Sequence, residues 1–313
     1  MPTSAASKDR FAGSLIGLAI GDALGGHFES QSPDWLQGRF PSIPALFQNP
    51  PKAPWYYTDD TQMAIGVAEG LLADGAMQEE SLLRIFANNY EHWRGYGRGV
   101  RMILDTYKEG GDFRFWIEEQ FPGGSFGNGA AMRVAPVGLA FQGDLSRVAE
   151  QAELSARPTH VHPLGIEGAK LLAVAVALAV QMQRFDRDEF FSQLLEFAKD
   201  DEFRKKLERA QRIQKPRELS ALGNGIAAQD SVVTAIACFA LSPNCYRDVI
   251  GSAILNGGDT DTIAAMAGAV CGAHLGLSGI PQELRDSLEN VERGYDYILN
   301  LANLLWDRFG EVN

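Results

Sequence analysis

The stretch that decides the fold is NGGDTDTIAAMAGAVCGAHLG, residues 256–276. Two aspartates and two threonines follow a pair of glycines, and the residues after them are almost entirely small and apolar. A helix that is apolar on every side is buried in a core, whereas a buried ionised carboxylate is unfavourable unless a cation or several donors face it. This helix is therefore predicted to lie centrally, with positive charge opposite its first turn.

Helical periodicity continues through the rest of the chain. Apolar residues recur at intervals of three and four, and alternating strand patterns are nearly absent. Examples are MAIGVAEGLLADG (63–75), SLLRIFANNYEHW (81–93), GAKLLAVAVALAVQMQ (168–183) and SVVTAIACFAL (231–241). There is no internal repeat and no convincing linker. The chain is therefore predicted to be all-α, with residues 1–313 forming a single domain.

The charge balance restricts the class of ligand. With 28 Lys and Arg against 40 Asp and Glu, the net charge is −12, and no basic cluster exists that would neutralise a nucleic acid backbone. Nucleic acid is therefore not expected as a partner. A smaller anion is compatible with the sequence, because metal ions, helix N-termini and backbone N–H groups can make one site positive.

Membrane insertion and disulfides are not expected either. The longest apolar run, residues 171–182, is shorter than the roughly 20 residues that span a bilayer. Cys238, Cys245 and Cys271 lack metal-ligand spacing and are interpreted as reduced. A cytoplasmic location is the corresponding expectation.

Two acidic clusters stand at the heads of two apolar helices. Oxygen ligands in a first helical turn are favoured by the helix dipole, and hard oxygen donors suit Mg²⁺, Mn²⁺ or Ca²⁺ better than zinc. Simple N-capping by Thr58 and Asp259 is the alternative, although capping requires one such residue per helix. The clusters are Thr58, Asp59 and Asp60, and Asp259, Asp261 and Thr262.

Glycine-rich stretches provide a second type of feature. RGYGRGV (94–100) and GGSFGNGAAMRV (123–134) do not match Walker or dinucleotide-binding patterns, yet glycine lets backbone N–H groups approach a phosphate closely. His160, in THVHPLG, is a further candidate donor to phosphate. In GSLIGLAIGDALGGHFES (13–30) the glycines suit tight helix packing, and Glu29 on its own could be an ordinary surface carboxylate.

Taken together, these stretches resemble the ADP-ribosylglycohydrolase family over nearly the whole chain. Within the family, the glutamate that follows GDALGGHF makes the chain resemble the branch that releases serine-linked and other O-linked ADP-ribose. The arginine-specific branch has a different pattern there. The stretches that carry the resemblance are, in order, GDALGGHFE, YYTDDTQMA, RGYGRGV, GSFGNGAAMRV, THVHPLGIEGA, LGNGIAAQDSVVTAI and GGDTDTIAAMAGA.

The resemblance implies an orthogonal helical bundle with a binuclear centre in a central cleft. The expected cofactors are two Mg²⁺ ions, which Mn²⁺ could replace. Glu29 and Asp60 are the implied catalytic residues, with Glu29 on a mobile loop that can cover the metal site. The implied metal ligands are Thr58, Asp59, Asp60, Asp259, Asp261 and Thr262.

The resemblance also implies where ADP-ribose binds. Phe121 and Phe126 would flank the adenine, although Phe126 stands where a tyrosine is familiar and thus lacks the hydroxyl. Asn224 and Ile226 would line the adenine end. The residues placed near the distal ribose and the diphosphate are Gly95, Gly97, Gly99, Gly124, Ser125, Gly127, Asn128 and His160.

The predicted function is Mg²⁺-dependent hydrolysis of O-linked ADP-ribose on serine-modified protein, with poly-ADP-ribose or O-acetyl-ADP-ribose as further candidates. The expected partners are ADP-ribose and ADP-ribosylated proteins, and the expected state is a monomer. Three alternatives remain open: arginine-linked ADP-ribose as substrate, a non-catalytic ADP-ribose binder or crystallin-like structural protein, and metal-dependent phosphoester cleavage.

Overall fold

The computed structural model describes residues 6–112, 114–115 and 121–310. The predicted all-α class is confirmed, because the described part of the chain contains helices and two isolated β-bridges but no strand. In chain order the α-helices are α1 (Lys8–Gly25), α2 (Pro33–Arg39), α3 (Ile43–Gln48), α4 (Asp59–Asp74), α5 (Glu79–Asn89), α6 (Arg98–Lys108), α7 (Ala135–Ala140), α8 (Leu145–Ala156), α9 (Pro163–Gln181), α10 (Arg187–Phe197), α11 (Asp201–Arg212), α12 (Ala228–Leu241), α13 (Tyr246–Leu255), α14 (Thr260–Leu275), α15 (Gln282–Arg285) and α16 (Tyr295–Phe309).

Helices α1 and α14 form the centre of the molecule and pack backbone against backbone. Every fourth residue of α1 from Gly13 to Gly25 is a glycine that faces α14. A methyl group at Gly21 would lie 2.2 Å from the carbonyl oxygen of Ala264, closer than any van der Waals contact allows. The glycines therefore permit the helices to cross closely, and the central position predicted for residues 256–276 is confirmed by the burial of α14.

The remaining apolar helices surround this pair. Helices α9, α12 and α13 pack against α14. Lys8–Phe28 and Pro163–Gln181 are long and apolar enough to cross a membrane, but 89% and 78% of their most apolar windows are buried inside the protein. Buried core helices pass the same length and composition test, so these two carry little evidence for membrane insertion.

The crossing of α1 and α14 determines the position of the acidic residues. The two helices run in opposite directions, so the last turn of α1 meets the first turn of α14, and the Thr260 hydroxyl donates to the carbonyl of Gly25 at 2.9 Å. The beginning of α4 is attached to the same turn of α1 through Asp22. Three helix ends therefore converge on one point.

Candidate active site and metal centre

Asp22 organises the beginning of α4. Its carboxylate is fully buried and accepts the backbone N–H groups of Thr58 and Thr61, each at 3.0 Å. It also accepts both threonine hydroxyls, that of Thr58 at 2.7 Å. Since the Thr58 hydroxyl proton points to Asp22 and its oxygen accepts only a long hydrogen bond from the N–H of Asp60, one lone pair of that oxygen is available to another ligand.

The beginning of α14 is held by a glycine turn. Gly257 and Gly258 have positive φ angles of 68° and 77°, which a residue with a side chain rarely adopts. The turn brings the backbone N–H of Asp259 to the carbonyl of Asn224 at 2.9 Å. The side-chain amide N–H₂ group of Asn128 donates to the Asp259 carboxylate and, at 3.0 Å, to the Ser231 hydroxyl oxygen. Asn128 thereby links the glycine-rich loop to the acidic cluster.

The segment that carries Glu29 is docked on the same turn. The N–H of Ser30 donates to the carbonyl of Gly258 at 2.8 Å, and the N–H of Gly258 donates to the carbonyl of Gln31 at 2.9 Å. Ser30 has a φ angle of 63°, an unfavourable value for a non-glycine residue that is often found at functional sites. With the segment docked, one oxygen each of Glu29, Asp259 and Asp261 lies within 4.8 Å of the others.

Burial and mutual repulsion disfavour negative charge in this cluster. Burial, and then the charge of Asp22, raises the pKa of Asp59 to about 7. Burial, with neighbouring carboxylates as the further cause, raises the pKa values of Asp60 and Asp261 well above their usual range. Burial and the Asp259 charge raise the pKa of Glu29 in the same way. No described lysine, arginine or histidine forms an ion pair with these carboxylates, so their negative charge is not neutralised within the cluster.

A divalent cation fits this donor set. Asp60 Oδ2 is buried without a hydrogen-bond partner among the described residues, and such an atom is costly unless a ligand reaches it. The Thr262 hydroxyl lies 3.4 Å from the other oxygen of Asp60. These donors are hard oxygens, which Mg²⁺, Mn²⁺ and Ca²⁺ prefer.

The capping alternative accounts for one of the two acidic clusters at most. The Thr58 hydroxyl accepts the N–H of Asp60 at a long 3.4 Å. Asp259 occupies the N-cap position of α14, but its side chain makes no capping hydrogen bond. Capping therefore does not explain why Asp259 and Asp261 are both retained beside Glu29.

A cleft of about 320 Å³ opens from the acidic cluster. The N-terminus of α6 forms another part of the cleft wall, through Gly97, Arg98 and Gly99. The first N–H groups of a helix have no partner within the helix, and they attract anions. His160 lines the cleft beside the loop from Ser125 to Gly129. The wall of this cleft thus carries both carboxylates and hydrogen-bond donors.

The structure brings most of the predicted site residues to this cleft. Phe121 packs over Gly99, where an added methyl group would lie 2.6 Å from its ring. The predicted residues that line the cleft are Glu29, Asp59, Asp60, Gly95, Gly97, Gly99, Phe121, Ser125, Gly127, Asn128, His160, Ile226, Asp259, Asp261 and Thr262.

Four predicted residues do not form the cleft wall. The ring of Phe126 is 52% exposed and stands edge-on to His162 with ring centres 5.9 Å apart. Gly124 lies against the backbone of His162, and the Asn224 side chain donates to the carbonyl of Asn256 at 2.8 Å. The Thr58 hydroxyl donates to Asp22, and Thr58 is not among the residues that line the cleft. The structure thus does not place Phe126 opposite Phe121, and the aromatic sandwich stays a prediction.

Residues that support the site were not found by sequence reasoning. The Arg94 guanidinium donates to the carbonyl of Tyr57 at 2.8 Å and forms a buried ion pair with Glu289, whose carboxylate also accepts the N–H of Tyr57. Together, Arg94 and Glu289 hold the backbone of Tyr57, the residue before Thr58, in place. A buried ion pair of this kind leaves no local pattern in the sequence, and the role of Asp22 was missed for the same reason.

This geometry defines a class of helical protein in which the N-termini of two helices bring clustered carboxylates to the wall of one cleft. The sequence profile of the ADP-ribosylglycohydrolase family matches residues 3–313, and the chain belongs to that family. ADP-ribosylhydrolase ARH3 of Danio rerio is 35% identical, over 96% of this chain and 90% of that protein. ADP-ribosylhydrolase ARH3 of Homo sapiens is also 35% identical, over 92% of each chain.

A solved structure agrees with these sequence relatives. A chain described as an ADP-ribosylglycohydrolase-related protein complex superposes with a TM-score of 0.73 at 25% identity, covering 96% of this chain and 98% of that one. The expected family, its ARH3 branch and the assignment as a hydrolase are therefore confirmed.

Proposed function

We propose that this protein hydrolyses the O-glycosidic bond between ADP-ribose and serine on modified proteins, with Mg²⁺ as cofactor. Similarity to the ARH3 proteins supports an ADP-ribosylhydrolase activity. The observation that carries the proposal is the docking of Glu29 within 4.8 Å of Asp259 and Asp261, in a cleft that is also lined by a helix N-terminus and by His160.

The groups that line the cleft indicate how the parts of the substrate would be arranged in it. Helix N–H groups and the donors around His160 suit the diphosphate, and Phe121 and Ile226 offer apolar surface for the adenine. In this orientation the distal ribose reaches the carboxylates. The linked serine then points toward the exposed side of Glu29, where the protein substrate has access.

The reaction itself needs a proton carrier at the anomeric carbon. The bond from that carbon to the serine oxygen breaks, a water oxygen takes its place, and one proton goes to the departing serine. Glu29 is the carboxylate best placed to hold or deliver this proton, because it is the exposed member of the cluster.

The metal ligands in this proposal are those with hard oxygens around the cluster. Asp60, with its unpartnered Oδ2, would serve as ligand together with Thr58, Asp59, Asp259, Asp261 and Thr262. A bound divalent ion would help to orient the distal ribose and would make the attacking water a better nucleophile. Asp22 would keep the Thr58 hydroxyl oxygen turned toward such an ion.

The deciding experiment measures free ADP-ribose released from a serine-modified peptide, after EDTA treatment and again after Mg²⁺ is restored. A matched peptide modified on arginine is run in parallel. We expect release from the serine peptide only with Mg²⁺. Faster release from the arginine peptide would assign the chain to the arginine-linked substrate, and AMP as the product would indicate pyrophosphate cleavage.

We also propose that the protein acts in the cytoplasm as a monomer made of one domain. All three cysteines are unpaired, and Cys238 and Cys271 are buried, which is compatible with a reducing compartment. Light scattering of the purified protein tests the monomer, and a molar mass near twice 34.1 kDa would contradict it.

A further inference from the structure

Arg133 is a buried cation that lacks a carboxylate partner. Its side chain is fully buried, and no described acidic residue forms an ion pair with it. Its guanidinium donates to the carbonyl of Ser155 and to the Thr159 hydroxyl, both at 2.9 Å, and stacks on Phe86 with 4.7 Å to the ring centre. Burial lowers the pKa of Arg133 to about 9 even though the charges of Tyr96 and Asp59 oppose the shift. A charged guanidinium in this place is therefore unfavourable and calls for a functional explanation.

The Thr159 hydroxyl connects Arg133 to His160. It lies 2.9 Å from Arg133 Nη2 and 2.8 Å from His160 Nδ1, and Thr159 is only 3% exposed. An arginine can only donate, so the hydroxyl accepts from Arg133. Its own proton then needs an acceptor, and His160 Nδ1 is the one that the described contacts offer. His160 must therefore carry its proton on Nε2.

The Nε2 side of His160 faces the cleft. An added methyl group at Gly129 would lie 3.4 Å from this nitrogen, and both Gly129 and His160 line the cleft. No described residue makes a hydrogen bond to Nε2, which leaves that N–H available to a ligand. Burial, and then the charge of Arg133, lowers the pKa of His160 to about 3, which agrees with a neutral ring at neutral pH.

We propose that Arg133 and Thr159 are positioning residues that hold His160 as the neutral Nε2–H tautomer, so that the cleft presents a fixed donor to a diphosphate oxygen. This inference rests on the proposed function for the identity of the ligand. Arg133 also places a positive charge one side chain away from His160, although Arg133 itself does not line the cleft. The diphosphate thus meets one oriented N–H group and a buried cation behind it.

The tautomer can be measured without any reaction. Protein labelled with ¹⁵N-histidine is examined by long-range ¹H–¹⁵N correlation NMR between pH 6 and 8, and the spectrum of His160→Gln identifies the His160 signals. We expect a neutral ring protonated on Nε2 at every pH. A ring protonated on Nδ1, or a positively charged ring at pH 7, overturns the proposal.

Two threonine variants test the connection to Arg133. Thr159→Val preserves shape but removes the hydroxyl, whereas Thr159→Ser retains it and serves as the matched control. We expect the valine variant to lose the single Nε2–H form and to bind ADP-ribose about tenfold more weakly or worse, and the serine variant to behave like wild type. Unchanged NMR signals and ADP-ribose affinity in Thr159→Val overturn the proposal.

A kinetic measurement separates positioning from simple support of the fold. Because the diphosphate is bound equally in ground and transition state, Thr159→Val should raise KM for the serine-modified peptide while kcat changes little. Arg133→Met tests the charge directly, and Thr159→Val keeps the proposal testable if that variant does not fold. The NMR and ADP-ribose binding results stand even if no peptide is cleaved, in which case only the proposed function fails.

Discussion

At the scale of single residues, Glu29 combines exposure with closeness to the buried acids. Glu29→Gln preserves the size of the side chain but removes its ability to carry a proton. We expect kcat to fall by about 10² to 10⁴, with ADP-ribose affinity nearly unchanged because the diphosphate and adenine contacts lie elsewhere in the cleft. Steady-state rates with the serine-modified peptide and calorimetric ADP-ribose titration measure the two quantities.

The control for this variant is Glu150→Gln, which makes the same chemical change on the exposed face of α8. It should retain wild-type kcat. If Glu29→Gln also turned over at the wild-type rate, Glu29 would not be the proton carrier, and the docking of its segment would need another explanation.

Asp22 is not a proposed metal ligand, but it accepts the hydroxyl hydrogen bond of Thr58, which is one. In Asp22→Asn an amide N–H₂ group faces donors of Thr58 and Thr61, so some of those hydrogen bonds are lost. Removing a group that orients a metal ligand typically weakens metal binding by about 10- to 100-fold. We expect that loss in a calorimetric Mg²⁺ titration, with partial rescue of turnover at high Mg²⁺.

Asp34→Asn provides the comparison, since Asp34 is an exposed carboxylate in the first turn of α2. Its Mg²⁺ affinity should equal that of the wild type. A folded Asp22→Asn protein with unaltered Mg²⁺ affinity would show that Asp22 supports the fold and not the ligands.

At the scale of elements, the closeness of α1 and α14 is the feature most sensitive to size. A methyl group at Gly21 would meet the Ala264 carbonyl at 2.2 Å, so Gly21→Ala forces the two helices apart. Overpacking of this kind lowers the free energy of unfolding by about 1 to 3 kcal/mol or more. Urea denaturation monitored by circular dichroism measures the change.

Gly38→Ala is the matched control, because a methyl group there has no atom within 4 Å. Gly38 lies inside α2, where alanine is the better helix former by about 0.5 to 1 kcal/mol. This variant should be as stable as the wild type or more so. Equal stability of Gly21→Ala and Gly38→Ala would contradict the close backbone contact.

The elements themselves were predictable, and the contacts between them were not. The helices were predictable because their apolar residues recur at intervals of three and four. The acidic beginnings of α4 and α14 were recognisable because each contains more polar residues than one N-cap requires. The partnership of Asp22 with Thr58 joins residues 36 positions apart, and that of Arg94 with Glu289 joins residues 195 apart. Spacing carries no information about such pairs, since the tertiary fold alone brings them together.

Loop side chains were hard to predict for a related reason. Phe126 follows Gly123 and Gly124, which adopt positive φ angles of 77° and 91°. Such angles redirect the chain in a way that neither spacing nor composition specifies. The family resemblance pointed to a loop whose residues Ser125, Gly127 and Asn128 line the cleft, but the direction of the Phe126 ring depends on this local geometry.

At the scale of the whole molecule, the acidic cluster makes stability depend on pH. The pKa of Asp59 is raised to about 7 by burial and the charge of Asp22, from an ordinary value of 3.8. Its stabilising contribution is therefore fully present below pH 3.8 and is lost as the pH rises through 7. The pKa of His160, lowered by burial to about 3 from 6.5, acts in the opposite sense, but its contribution changes only below about pH 7.

Metal-free protein should therefore become less stable between pH 7 and 8.5, by up to about 1.4 kcal/mol per pH unit for each proton the folded chain still holds. Mg²⁺ binds ionised carboxylates and so competes with those protons. We expect the Tm in EDTA to fall over this range, and the Tm gain on adding Mg²⁺ to be larger at pH 8.5 than at pH 6.5. Asp59→Asn should flatten the EDTA profile below pH 7, where the folded protein still holds the Asp59 proton. A Tm in EDTA that stays constant or rises from pH 7 to 8.5 would mean that the clustered carboxylates are already compensated without a metal.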